Sequence, residues 1–175
     1  MNQIKRLCVG LNHLFLGLLF LLPLINLCYW GWIDDAFINR IMLTSTPFEH
    51  VHLTPAARFL AFMVTSLPMI VIMYILHQLR IVFRNYASAN VFCLQNAQCF
   101  KKTGLALLSL AVVNFFSDSI LSVILSFNHP SGERILALGV GSGQFYPLFF
   151  GLALYIISFI MEEAHQLDEE QKYTV

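Results

Sequence analysis

The chain has 175 residues, 58% of them hydrophobic and only 11% charged, and its 10 Lys and Arg are balanced by 10 Asp and Glu. Soluble domains carry about 25% charged residues, so this composition argues against a water-soluble globular fold. Zero net charge without a basic arm or patch argues against direct nucleic-acid binding.

Four long apolar stretches follow one another, at about residues 11–32, 59–79, 104–127 and 135–161. Each supplies the ~20 apolar residues with which a helix crosses a hydrocarbon core of about 30 Å. The expected fold is all-α. It is a polytopic membrane protein, one domain over 1–175 built as a bundle of four transmembrane helices, with no separate soluble catalytic domain.

Lys5 and Arg6 precede the first span, as in a secretory leader. The apolar run is longer than a leader's core, however, and the bulky Cys28-Tyr29-Trp30 offers no cleavage site, so it reads as a retained helix. Tyr29, Trp30 and Trp32 are expected to form an aromatic belt at its outer end. Asn12, His13 and Asn26 place polar groups on this helix, and His77 lies near the inner end of the second. His13 and His77 fall at similar depth, as two axial haem ligands would. Nothing else marks a porphyrin pocket, so interfacial imidazoles are the expected reading and no cofactor is expected.

In the first connection, Glu49-His50-Val51-His52 groups potential metal ligands. On an extended segment His50 and His52 project from one face, and Asp34 or Asp35 is available to join them. No third ligand is well placed, so a solvated loop is expected and a metal site is not. Thr54-Pro55 is an N-cap followed by Pro at the first helical position, which starts the second helix there. Pro23, Pro68 and Pro147 fall inside spans, where each removes a backbone hydrogen bond and is expected to kink its helix.

The middle connection, residues 80–103, alternates apolar Val82, Phe83, Tyr86, Val91, Phe92, Leu94 and Phe100 with polar and basic residues. That pattern predicts an interfacial stretch along the inner leaflet, its Arg80, Arg84, Lys101 and Lys102 on anionic headgroups. The third span carries Asp118, the one acidic residue well inside an apolar stretch, with Asn114 a turn before it and Ser117 and Ser122 close by. A charge at that depth faces a bundle interior or a wet cavity. The stripe is therefore either packing glue or a polar pathway, and packing glue is the commoner use of such groups.

Asn128-His129-Pro130-Ser131-Gly132 marks the turn to the fourth span. Gly139-Val140-Gly141-Ser142-Gly143 opens that span. Its small residues spaced by four predict a close helix–helix approach or a flexible helix start, not a phosphate loop. Cys8, Cys28, Cys93 and Cys99 form no C-x-x-C pair, so neither a disulfide framework nor a cysteine zinc site is expected.

Lys5, Arg6, Arg80, Arg84, Lys101, Lys102 and Lys172 fall on one side of this topology, against Arg40, Arg58 and Arg134 on the other. The positive-inside rule then places the N and C termini and the middle connection in the cytoplasm. The motifs of intramembrane proteases and serine hydrolases are missing, so no enzymatic activity is expected.

The runs Leu79-Arg80-Ile81-Val82-Phe83-Arg84-Asn85-Tyr86, Asn90-Val91-Phe92-Cys93-Leu94-Gln95-Asn96-Ala97 and Lys101-Lys102-Thr103-Gly104 are similar to a pattern in a family of small bacterial membrane proteins. Glu163-Ala164-His165-Gln166-Leu167-Asp168-Glu169-Glu170, closing on Thr174-Val175, resembles that family's acidic tail. The family is catalogued as domain of unknown function 2975. The chain departs from its pattern at Ala89 or Asn90, where Gly is usual, and at Cys93, where Ser or Thr is usual.

The resemblance implies a four-helix protein of the bacterial inner membrane, often encoded beside a small helix-turn-helix regulator, with no established catalytic or binding residues. Two functions compete. In the first, a non-enzymatic membrane protein binds or sequesters a cytoplasmic partner such as that regulator. It would do so through Arg80, Arg84, Lys101 and Lys102 and the tail carboxylates Glu162, Glu163, Asp168, Glu169 and Glu170. In the second, a small transporter or ion-conducting homo-oligomer uses the polar stripe around Asp118.

Overall fold

The computed structural model describes residues 2–32, 54–88, 91, 93–126 and 141–173. These form four helices, α1 (Asn2–Trp32), α2 (Pro55–Ala87), α3 (Leu94–Ser126) and α4 (Ser142–Tyr173). Each contains a stretch long and apolar enough to cross a membrane. The protein is a multi-pass membrane protein with an all-helical fold. The cluster Glu49, His50, His52 and the turn formers 128–132 lie outside the described residues.

The helices are longer than the apolar stretches that nucleate them. At 1.5 Å per residue, the 33 residues of α2 and of α3 span roughly 50 Å against a hydrocarbon core of about 30 Å. The sequence pattern predicts an interfacial stretch over 80–103, of which residues 89, 90 and 92 lie outside the described residues. Within it α2 runs on to Ala87 and α3 starts at Leu94, so both spanning helices extend past the apolar zone as a hairpin.

Local signals explain most boundaries. Thr54 has an extended backbone, its hydroxyl accepts the Ala57 N–H at 3.3 Å, and Pro55 fills the first helical position. The N–H of Ser88 closes α2 on the Arg84 and Asn85 carbonyls. α4 begins at Ser142, and residues 135–140 of the expected span lie outside the described residues. Gly141 caps the helix, its carbonyl accepting the N–H groups of Gln144 and Phe145 at 3.2 and 3.3 Å. Pro23, Pro68 and Pro147 are absorbed without ending α1, α2 or α4.

The bundle is open. Successive helices pack antiparallel, α1 on α2, α2 on α3 and α3 on α4, and among the described residues no other pair of helices comes together. Two small apolar clusters hold the seams: Trp30 and Ala61 with Phe62, Leu121 and Leu125, and Ile75, Ala106 and Leu110 with Val71 and Leu79. Buried positions are mostly small or polar, such as Ala61, Ala97, Thr103 and Ser158, while Phe20, Phe149 and Ile160 face outward. This inversion suits lipid, where apolar burial gives no driving force and close packing does.

α3 and α4 approach closely at two glycines. A Cβ on Gly104 would lie 2.8 Å from the Tyr155 nitrogen, whereas one on Gly143 would meet nothing within 4 Å. Of the run 139–143, where a close approach or a flexible helix start is expected, residues 139 and 140 lie outside the described residues, Gly141 caps α4 and Gly143 faces open space, while Gly104 and Gly151 make a tight contact. Trp30 departs from the expected outward belt: its ring is buried in the seam, while Trp32 is fully exposed.

Candidate functional site

Two regions hold the polar residues singled out by the sequence. The first is the seam where α4 begins. Asn114 and Asp118 sit one turn apart on α3, and both reach the first turn of α4. Asn114 Nδ2 donates to the Gly143 carbonyl at 3.0 Å, and Gln144 Nε2 donates to Asp118 Oδ2 at 2.8 Å. Gln144 Oε1 also accepts the Gly141 N–H at 2.8 Å. One amide therefore caps α4 and ties it to α3, in half of a capping box. The partial positive charge at the start of α4 adds to this, since it favours a carboxylate placed there.

Asp118 itself remains exposed, while Gln144 is buried. Ser117 and Ser122 do not join them. Ser122 Oγ donates to the Ser119 carbonyl at 2.8 Å on its own helix. Ser117 falls in the register of Leu110, which packs on α2, and its buried hydroxyl has no hydrogen-bond partner among the described residues. The sequence reading missed Gln144. Its signal was a Gln three residues after a helix-starting Gly.

The second region is the end of the bundle carrying the α2–α3 turn. The turn is built around Asn96, which is fully buried. Its Oδ1 accepts Asn85 Nδ2 at 2.8 Å, and its own Nδ2 donates to the Val91 carbonyl at 2.9 Å. Cys93 caps α3, its carbonyl accepting the Asn96 and Ala97 N–H groups.

The four basic residues divide into two pairs. Arg80 Nε donates to Asn12 Oδ1 on α1 at 3.0 Å, and Lys101 Nζ lies 5.3 Å from the centre of the Phe159 ring on α4. Arg84 and Lys102 are exposed. On α4 the helix continues through Glu162, Glu163, Asp168, Glu169 and Glu170, of which Glu163 and Glu170 are exposed.

Four of the remaining polar and amphipathic groups, Asn26, Trp30, Thr65 and Ser66, act as fasteners. Trp30 Nε1 donates to Thr65 Oγ1 at 3.0 Å, the Thr65 hydroxyl lies 3.1 Å from Asn26 Oδ1, and Asn26 Nδ2 donates to Ser66 Oγ at 3.2 Å. Together they clasp α1 to α2. His13 Nδ1 donates to the Val9 carbonyl at 2.8 Å, a bond within its own helix, and His77 is exposed. Among the described residues no three His, Cys, Asp or Glu side chains gather as a metal site would need. No disulfide joins cysteines among the described residues.

A family model described as "Protein of unknown function (DUF2975)" matches residues 42–175. No curated protein and no solved structure matches the chain.

Proposed function

The chain therefore belongs to the DUF2975 family, and we propose that it is a non-enzymatic protein of the bacterial inner membrane that holds a partner at the cytoplasmic face. The observation that carries this reading is the helical platform at the turn end. There α2, α3 and α4 all run beyond their apolar stretches, and the turn is braced by the buried Asn96. A rigid surface presenting Arg84 and Lys102 beside a helix rich in carboxylates suits electrostatic docking of a protein. A small helix-turn-helix regulator, whose DNA-reading helix is basic, has the complementary charge for that acidic helix.

Affinity purification of the tagged protein from its native membrane in mild detergent tests this. A stoichiometric regulator should co-purify, and reversing Glu162, Glu163, Asp168, Glu169 and Glu170 to Lys should release it. Unchanged recovery of the partner by that variant would remove the tail from the interface.

A second reading rests on the exposure of Asp118. A carboxylate on the surface of a single open bundle is costly in lipid, and association of several copies around water would relieve that cost. A small oligomeric transporter or ion-conducting protein would then use Asn114 and Asp118. Proton-coupled flux in proteoliposomes that vanishes in Asp118→Asn is its test.

A further inference from the structure

We propose that a groove between α2 and α3 binds one anionic phospholipid, with an acyl chain against the helices and the headgroup phosphate on Lys102. The groove has a volume of about 470 Å³. Ile70, Val71 and Tyr74 line it from α2, and Lys102, Leu105, Ala106 and Ser109 line it from α3.

The order of polarity along it matches that of a phospholipid. Lys102 stands just ahead of Gly104, where the apolar part of α3 begins. Ser109 lies seven residues further on, about 10 Å deeper at 1.5 Å per residue. Charge therefore sits at headgroup depth with an apolar recess beneath it. The small side chains of Ala106 and Ser109 leave room for the chain. The Ser109 hydroxyl is turned onto the Ala106 carbonyl at 2.8 Å, so it offers the acyl chain no unpaired polar group.

Charge selects the lipid class. Lys102 is the only cation on the described lining, it is exposed, and no ion pair holds it among the described residues. A zwitterionic headgroup already balances its own phosphate, whereas an anionic one leaves a charge for the ammonium to neutralise. Basic pockets between membrane helices recognise anionic lipids in this way. Lys101 is engaged elsewhere, on the Phe159 ring of α4, so adjacent lysines serve different faces. The site shares Lys102 with the proposed platform, so the test uses the chain without a bound partner; it does not depend on which leaflet the site meets.

The test is native mass spectrometry of the full chain in an uncharged detergent with equimolar dioleoyl-phosphatidylglycerol and dioleoyl-phosphatidylcholine. The wild type should retain one phosphatidylglycerol in preference. Lys102→Gln should weaken that adduct about fivefold, the equivalent of one lost surface cation, without changing phosphatidylcholine. Ser109→Phe, which fills the recess, should lower both adducts, and Lys101→Gln should lower neither. Equal retention of the two lipids by the wild type, or an undiminished phosphatidylglycerol adduct on Lys102→Gln, would overturn the proposal. A homodimer that excludes lipid from the groove would overturn it as well. Should Lys102→Gln fold poorly, the wild-type lipid ratio and Ser109→Phe decide the matter.

Discussion

Gly104 on α3 and Gly151 on α4 meet backbone to backbone: a Cβ on Gly104 would lie 2.9 Å from the Gly151 carbonyl oxygen, and one on Gly151 would lie 3.0 Å from the Gly104 carbonyl oxygen. Neither wall of this contact is a flexible side chain, so a larger residue must push the helices apart. Gly151→Leu should destabilise the protein by about 1–3 kcal/mol, the usual cost of overpacking, seen as a lower Tm in detergent. Gly17→Ala and Gly143→Ala, where a Cβ meets nothing, should be neutral or slightly stabilising because Ala is the better helix former.

The Asp118–Gln144 bond separates a structural role from a conducting one. Gln144→Leu removes the partner of both Asp118 Oδ2 and the Gly141 N–H, and should cost about 1–3 kcal/mol. Asp118→Asn keeps an oxygen that accepts from Gln144, so its Tm should stay close to that of the wild type. Thermal unfolding of the two variants measures the structural term. Flux in Asp118→Asn proteoliposomes then reads the transport role alone.

Asn96 ties the α2–α3 turn from inside. Asn96→Leu leaves Asn85 Nδ2 one acceptor short and the Val91 carbonyl without that donor. A loss of about 2–3 kcal/mol is expected, with faster proteolytic cleavage at the turn. Cys93→Ser works in the opposite direction. Cys93 occupies the α3 N-cap, where Ser is strongly preferred, so a gain of about 0.5–1 kcal/mol is expected. A rise in Tm measures it.

Thr65 joins Trp30 and Asn26 across the α1–α2 seam. Thr65→Val keeps the shape and deletes the hydroxyl, at a cost of about 1 kcal/mol, within the range of interhelical hydrogen bonds in membranes. Trp30 and Trp32 are the chain's 2 tryptophans. In a Trp32→Phe background, fluorescence therefore reports on this seam directly, and unfolding should occur at lower temperature.

Hydropathy and chain length were enough to establish that the solvent is lipid and that four helices cross it, because these are properties of one segment at a time. The same holds for the start of α2, where Thr54 and Pro55 act on their own turn. Asn114 and Asp118 were also legible as engaged polar groups, since an amide and a carboxylate in an apolar span require partners. Other features needed the tertiary structure. The continuation of α2 to Ala87 and the start of α3 at Leu94 required the two helices to brace one another through Asn85 and Asn96. The seam position of Trp30, the contact of Gly104 with Gly151 and the double role of Gln144 each join residues distant in sequence. Those joins depend on how each helix is rotated against its neighbour. In a chain destined for lipid the apolar face is not the buried one, so hydropathy does not announce the rotation, and packing of small residues and hydrogen bonds between helices decides it.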